Sequence, residues 1–243
     1  MYITGTHAIE EALPGAPKGS VLYVSSSYKN NDNLVMLAKA TSGIVVKKVM
    51  KTALDEMDSS HRGAVLCIPH VKASFSSSQQ SLREFLEGIQ NSDSPYTVLL
   101  LDGITDPHNL GAILRSSDQF GVNLVVLPPS RSASINETVM RTSSGAAIYV
   151  KVAEGENINQ AISLLKKHGF WIYTADMDGE DLNNVSFSRR SAIVMGAEGE
   201  GVHNLVKKNT DYTVRIPMCG HVDSLNVSVA AGIILYSRYV GVR

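Results

Sequence analysis

Thr97-Val98-Leu99-Leu100-Leu101-Asp102-Gly103-Ile104-Thr105-Asp106-Pro107-His108-Asn109-Leu110-Gly111-Ala112-Ile113-Leu114-Arg115-Ser116 is the stretch that sets the fold class. An apolar run stops at an acidic residue and a glycine, and apolar residues at helical spacing follow. The pattern reads as a strand over 97–102, a loop, and a helix over 109–120, with Asn109 placed to cap it. The same alternation continues downstream. Strands are expected at 123–127, 148–152, 170–175, 192–196 and 212–216, and helices at 135–143, 157–168, 201–208 and 225–240. Apolar strands alternating with amphipathic helices predict an α/β fold with a mainly parallel sheet covered on both faces. Ligands of such sheets bind beyond the C-terminal strand ends.

Upstream, the composition changes at Lys72-Ala73-Ser74-Phe75-Ser76-Ser77-Ser78-Gln79-Gln80-Ser81, a serine-rich stretch that reads as a solvated linker. A short helix follows it, with Leu82, Phe85, Leu86 and Ile89 at helical spacing, ending near Asn91 to Pro95. This divides the chain into a small α/β unit over 1–71, a linker over 72–95 and the parallel-sheet domain over 96–243. In the small unit, strands are expected at 21–24, 44–49 and 64–68, and helices at 33–40 and 52–57.

The chain has 243 residues, 44% of them hydrophobic and 19% charged, an ordinary balance for a folded protein with a core. No apolar run is long enough to span a bilayer and no signal peptide is visible, so a cytoplasmic protein with no membrane contact is expected. Two cysteines, Cys67 and Cys219, build neither a disulfide framework nor a four-ligand zinc site. The net charge of −1 excludes a polyanion-binding chain that works through a global field; nucleic acid would need a local patch.

Three loops carry polar and glycine residues at strand ends. The first is the one quoted above, with Arg115 six residues beyond Asn109; its guanidinium fork suits two phosphate oxygens. The second, Met195-Gly196-Ala197-Glu198-Gly199-Glu200-Gly201, allows close backbone approach. It matches neither the dinucleotide fingerprint nor a phosphate loop. The third is Ile216-Pro217-Met218-Cys219-Gly220-His221-Val222-Asp223-Ser224-Leu225-Asn226-Val227-Ser228, in which Ser224 is placed to cap the last helix. That helix is apolar nearly all round, so it is buried or packs against a partner. Glycine backbone with Ile216, Met218 and Leu225 would suit a flat, neutral heterocycle better than a polyphosphate.

These three stretches resemble, in order and spacing, the motifs of the SpoU (TrmH-type) RNA ribose 2′-O-methyltransferases of the SPOUT superfamily. Tyr2-Ile3-Thr4-Gly5-Thr6-His7-Ala8-Ile9 and His61-Arg62-Gly63-Ala64-Val65 resemble the small ribosomal-protein-L30-like substrate domain of the RlmB-like branch. The resemblance implies S-adenosylmethionine as methyl donor, RNA as acceptor, a C-terminal trefoil knot, and a homodimer with its active site at the interface. It places Asn109, Arg115, Glu198, Ser224 and Asn226 on the catalytic positions. It places Met195, Gly196, Glu198, Gly199, Ile216, Met218 and Leu225 around the donor. The branch implies a guanosine of 23S-type ribosomal RNA as target, with a transfer-RNA guanosine as the second reading.

The chemistry needs no metal: the donor is already activated, and the protein must align a hydroxyl with a methyl and help a proton leave. The family proposal makes the arginine the base. Deprotonating an arginine side chain near pH 7 costs about 8 kcal/mol, and a neighbouring phosphate raises that cost. Arg115 is therefore read as the group that holds phosphate and steadies the developing oxyanion, with the proton leaving through Glu198, a water, or a late transfer in the transition state. Lys47, Lys48, Lys51, His61 and Arg62 are expected to form a basic RNA surface, with Tyr28 and His61 as stacking groups. Arg131 and Arg141 would add phosphate contacts beside Arg115. A dinucleotide oxidoreductase is disfavoured by the missing glycine fingerprint, and a non-catalytic RNA-binding module by the intact loops.

Overall fold

A computed structural model describes residues 2–26, 31–68, 80–197, 199, 201–222 and 224–242. The larger sheet has six strands: β5 (Tyr96–Asp102), β6 (Leu124–Leu127), β7 (Val152–Glu154), β8 (Trp171–Asp181), β9 (Arg190–Gly196) and β10 (Tyr212–Arg215). Their order is β10-β8-β9-β5-β6-β7, and every pairing is parallel. The period of two in β5 explains why both faces are buried. Val98 and Leu100 pack with α4 (Leu82–Gly88) and α7 (Ile158–Lys167), while Leu99 and Leu101 pack with α5 (Pro107–Gln119) and α9 (Val227–Gly241).

Residues 72–79 of the linker lie outside the described residues. The rest of that stretch is part of the parallel-sheet body. Ser81 and Glu84 form a capping box that starts α4, and Leu82, Phe85, Leu86 and Ile89 are buried in the core.

The smaller sheet has the order β1-β4-β2-β3, with β1 (Tyr2–Thr4), β2 (Val21–Ser25), β3 (Val45–Val49) and β4 (Ala64–Cys67). The helices α1 (Thr6–Ala12), α2 (Asp32–Ala40) and α3 (Lys51–Met57) complete this unit. Neither β1 nor α1 is expected from local pattern: β1 has only three residues and α1 starts without a side-chain cap.

The strand expected at 148–152 is a correction. Residues Ala146–Ile148 form a 3-10 turn and β7 begins only at Val152. The apolar run Ala147, Ile148 and Val150 is instead used to dock the N-terminal unit, sharing one core with Ile3, Ile9 and Leu13. Tyr2 N donates to Glu137 Oε1 at 2.9 Å, and the Tyr149 hydroxyl donates to the Glu11 carbonyl across the same seam. The helix expected at 201–208 is shorter, α8 (Asn204–Lys207), because the chain first pairs Ala197 with Gly201 in both directions.

Candidate active site

The loops after β5 and β9 leave neighbouring strands for opposite sides of the sheet, since β6 lies beyond β5 and β10 beyond β8. This is the crevice that open α/β sheets offer a ligand. Asp102, the last residue of β5, pairs in register with Gly196, the last of β9.

Two helix caps differ from expectation. Asp106, not Asn109, caps α5: its carboxylate accepts from His108 N at 2.9 Å, and Pro107 takes the first helical position. Asn226, not Ser224, caps α9, accepting from Ser228 N at 3.0 Å and from Ser228 Oγ at 2.6 Å. Both corrections have the same result. Asn109 lies inside the first turn of α5 with its side chain turned to the third loop, where Asn226 Nδ2 donates to Asn109 Oδ1 at 2.9 Å. The first and third loops are thereby joined.

Arg115 is not part of that junction. It lies six residues further along α5, which turns it about 120° around the axis and about 9 Å along it. Its Nη1 donates to Ser144 Oγ at 3.1 Å, in the turn between α6 (Glu137–Thr142) and the 3-10 segment that carries the N-terminal unit. Gly111 brings α5 and α6 this close: a Cβ there would lie 2.7 Å from Thr142 Cβ and 2.9 Å from the Val139 carbonyl oxygen.

Met195 is buried and Gly196 ends β9 beneath the returning chain. A Cβ on Gly196 would lie 2.0 Å from the Gly201 carbonyl carbon, so only glycine lets the second loop close. Ile216 and Leu225 are half-buried, Met218 is 43% exposed, and Gly199 and Ser224 are exposed. Glu198, expected in both the catalytic and the donor sets, lies outside the described residues, as does Tyr28.

The expected basic patch is divided. Lys47 and Lys48 are adjacent on edge strand β3, so they point to opposite faces; Lys47 Nζ sits 6.0 Å from the Tyr23 ring centre. His61 is not a stacking group: it is 2% exposed, and its ring meets Asp55 Oδ1 at 2.9 Å and accepts from Gly63 N at 2.7 Å. Arg62 beside it is exposed, with φ at 47°. Arg141 bears on Asp58 of the N-terminal unit. Burial pushes the Asp58 carboxyl up, but hydrogen bonds from Ser60 and the charges of Arg141 and His61 hold it below its ordinary value.

One constellation escaped the sequence reading. Asp102 Oδ2 accepts from His203 N at 3.0 Å and lies 2.8 Å from His203 Nδ1, while Arg131 Nη1 lies 3.3 Å from His203 Nε2. These residues are 101 and 72 positions apart, so no local motif could have announced them.

The fold and this site define a two-part α/β protein with a ligand crevice at the C-terminal ends of a parallel sheet. Residues 96–236 match the SpoU rRNA Methylase family, and residues 2–68 match the RNA 2′-O ribose methyltransferase substrate binding family. The chain belongs to the SpoU family and is an RNA methyltransferase; 2′-O ribose methylation is the activity of that family. It is 42% identical to a protein of Borreliella burgdorferi named as a tRNA/rRNA methyltransferase, over 88% of this chain and 95% of that one. It is 35% identical to a TrmH family tRNA/rRNA methyltransferase of Staphylococcus haemolyticus, over 98% of this chain and 95% of that one. Among solved structures, the SpoU methyltransferase AviRb of Streptomyces viridochromogenes in complex with AdoMet superposes with a TM-score of 0.72. It is 19% identical, over 99% of this chain and 89% of that one, a likeness of fold.

Proposed function

We propose that this chain methylates the ribose 2′-oxygen of a guanosine in 23S-type ribosomal RNA. S-adenosylmethionine is the methyl donor. The observation that carries the reading is the Asn226–Asn109 hydrogen bond, which gathers the third loop onto the first at the mouth of the crevice. The Gly196–Gly201 backbone with Met195, Gly199, Ile216, Met218 and Leu225 would hold the donor. When bound, the donor supplies an electrophilic methyl group on a sulfonium. Asn109, Ser224 and Asn226 orient the ribose, and the Arg115 fork holds a phosphate and steadies the oxygen as it attacks. Glu198 or a water accepts the 2′-hydroxyl proton.

The active site is completed by a second copy of the chain. Val229, Ile233, Tyr236 and Val240 repeat at helical spacing on α9 and are all exposed, as are Met218 and Val222 in the loop before it. Arg115 and the Asn109–Asn226 pair leave α5 in different directions, which supports a site assembled across a homodimer. The C-terminal segment is read as a trefoil knot. After edge strand β10 the chain returns to the middle of the sheet, where α9 packs on α5 and Arg238 Nη2 donates to the Tyr96 and Arg189 carbonyls.

Ribosomal rather than transfer RNA is favoured by the match to the SpoU rRNA Methylase family and by the additional substrate-binding unit over 2–68. We place the enzyme in the cytoplasm. Among the described residues no helix is long and apolar enough to cross a membrane. Mapping 2′-O-methyl marks on total RNA from cells with and without the gene tests the target. Loss of one guanosine mark in large-subunit RNA is expected, and a loss confined to transfer RNA overturns the choice of target. Titration with S-adenosylhomocysteine tests the donor site; no binding would leave only an RNA-binding module.

A further inference from the structure

His203 is used at both ends of its ring. Asp102 is buried at the end of β5 and its carboxylate can only accept, so the 2.8 Å contact puts a proton on His203 Nδ1. A guanidinium can only donate, so the 3.3 Å contact from Arg131 Nη1 makes His203 Nε2 the acceptor. Together they select one neutral tautomer. The backbone N–H of His203 also reaches Asp102 Oδ2, at 3.0 Å, fixing the ring against rotation about the chain.

Arg131 is held in an unusual way. Its φ is 55°, a left-handed backbone that a non-glycine residue keeps only where its surroundings impose it. Two residues on, Ala133 N donates to the Ile104 carbonyl at 2.7 Å, which staples this turn to the loop after β5. Three segments therefore meet here: 102–106, 131–133 and 201–203. Arg131 is exposed and His203 is 41% exposed on its side chain, on the C-terminal side of the sheet. One guanidinium donor is spent on His203, which leaves an open edge to fork onto two oxygens.

We propose that His203 is a positioning residue for RNA binding: anchored by Asp102, it aims the Arg131 guanidinium at a phosphodiester of the substrate strand. This rests on the reading of the crevice as the RNA methylation site. Arg131 would hold the strand where these loops meet, and His203 itself would touch neither donor nor ribose.

Two substitutions separate this role from simple support of the second loop. His203→Asn keeps an amide donor for Asp102 and is too short to reach Arg131. His203→Gln extends an acceptor towards Arg131 and gives up the Asp102 donor. The full-length protein is assayed with S-adenosylmethionine and total RNA from cells lacking the gene. His203→Asn and Arg131→Gln should each raise KM for RNA about tenfold, with kcat and S-adenosylhomocysteine affinity within about twofold of wild type. The double variant should be no worse than either single one, and His203→Gln should recover part of the lost KM. Additive effects, or a fall in kcat or donor affinity with RNA KM unchanged, would overturn the His203 role alone. A wild-type protein that methylates none of this RNA would overturn the underlying site and this inference with it.

Discussion

Asn226 Nδ2 donates to Asn109 Oδ1 at 2.9 Å while Asn226 Oδ1 accepts from Ser228 N at 3.0 Å, so one amide both caps α9 and ties it to α5. The two ends of the side chain do different work, and they can be separated. Serine caps a helix about as well as asparagine but cannot span to Asn109. Asn226→Ser should leave the melting temperature within about 2 °C of wild type. Methylation should fall at least about tenfold. An undiminished rate would remove the junction from the mechanism.

Arg115 is expected to act through its fork. Arg115→Lys keeps a charge and loses the bidentate geometry, as well as the geometry that meets Ser144 Oγ at 3.1 Å. A fall of about 100-fold in kcat/KM for RNA is expected, with S-adenosylhomocysteine binding unchanged by calorimetry. Near-full activity in the lysine variant would refute the phosphate role.

Gly111 is set by a neighbour rather than by its own helix. Alanine is the better helix former by about 1 kcal/mol, but its methyl group would meet the Val139 carbonyl oxygen at 2.9 Å. Backbone cannot yield as a flexible side chain does, so the clash wins. Gly111→Ala should lose about 1–2 kcal/mol in chemical unfolding, and a gain in stability would show that α5 and α6 can separate freely.

The exposed face of α9 predicts the assembly. Ile233→Lys places a charge in the middle of the Val229, Ile233, Tyr236 and Val240 stripe. Light scattering after size exclusion should show a dimer for wild type and a monomer for the variant, with methylation lost in parallel. A wild-type monomer that remains active would refute a shared site.

Asp176 supplies a pH dependence. Burial alone pushes its carboxyl up, but the Lys207 ion pair and backbone N–H groups of Asp178 and Met177 outweigh it, holding the group below its ordinary value of 3.8. A depressed carboxyl stabilises the fold above its unfolded value, and that contribution is lost as pH falls through the folded value. The melting-temperature gap between wild type and Asp176→Asn should be steady from about pH 8 to about pH 5 and close below pH 3.8. A gap that widens in acid would reverse the sign.

The parallel sheet was legible because its strands are short apolar runs between amphipathic helices, and β5, β6, β9 and β10 fall within a residue or two of expectation. Ile148-Tyr149-Val150 looked like a strand because its residues are β-branched and aromatic. It is a docking turn because the N-terminal unit covers it, a tertiary effect that overrides local propensity. The cap of α5 could have been read correctly: a proline takes the first helical position, which makes the preceding Asp106 the cap and frees Asn109 for other use. His61 carried no signal of its burial, since a histidine in a turn looks alike whether it faces solvent or Asp55.

The class of the sheet, the three glycine- and asparagine-bearing loops and their placement at strand ends are written in the residue order, because those depend on patterns a few residues long. That Asn109 meets Asn226, that Arg115 turns to Ser144, and that His203 bridges Asp102 and Arg131 emerges from the folded chain. Those meetings follow from the strand order β10-β8-β9-β5-β6-β7, which brings loops a hundred residues apart side by side. Local periodicity fixes what most segments become, whereas strand order is chosen by the packing of all of them at once.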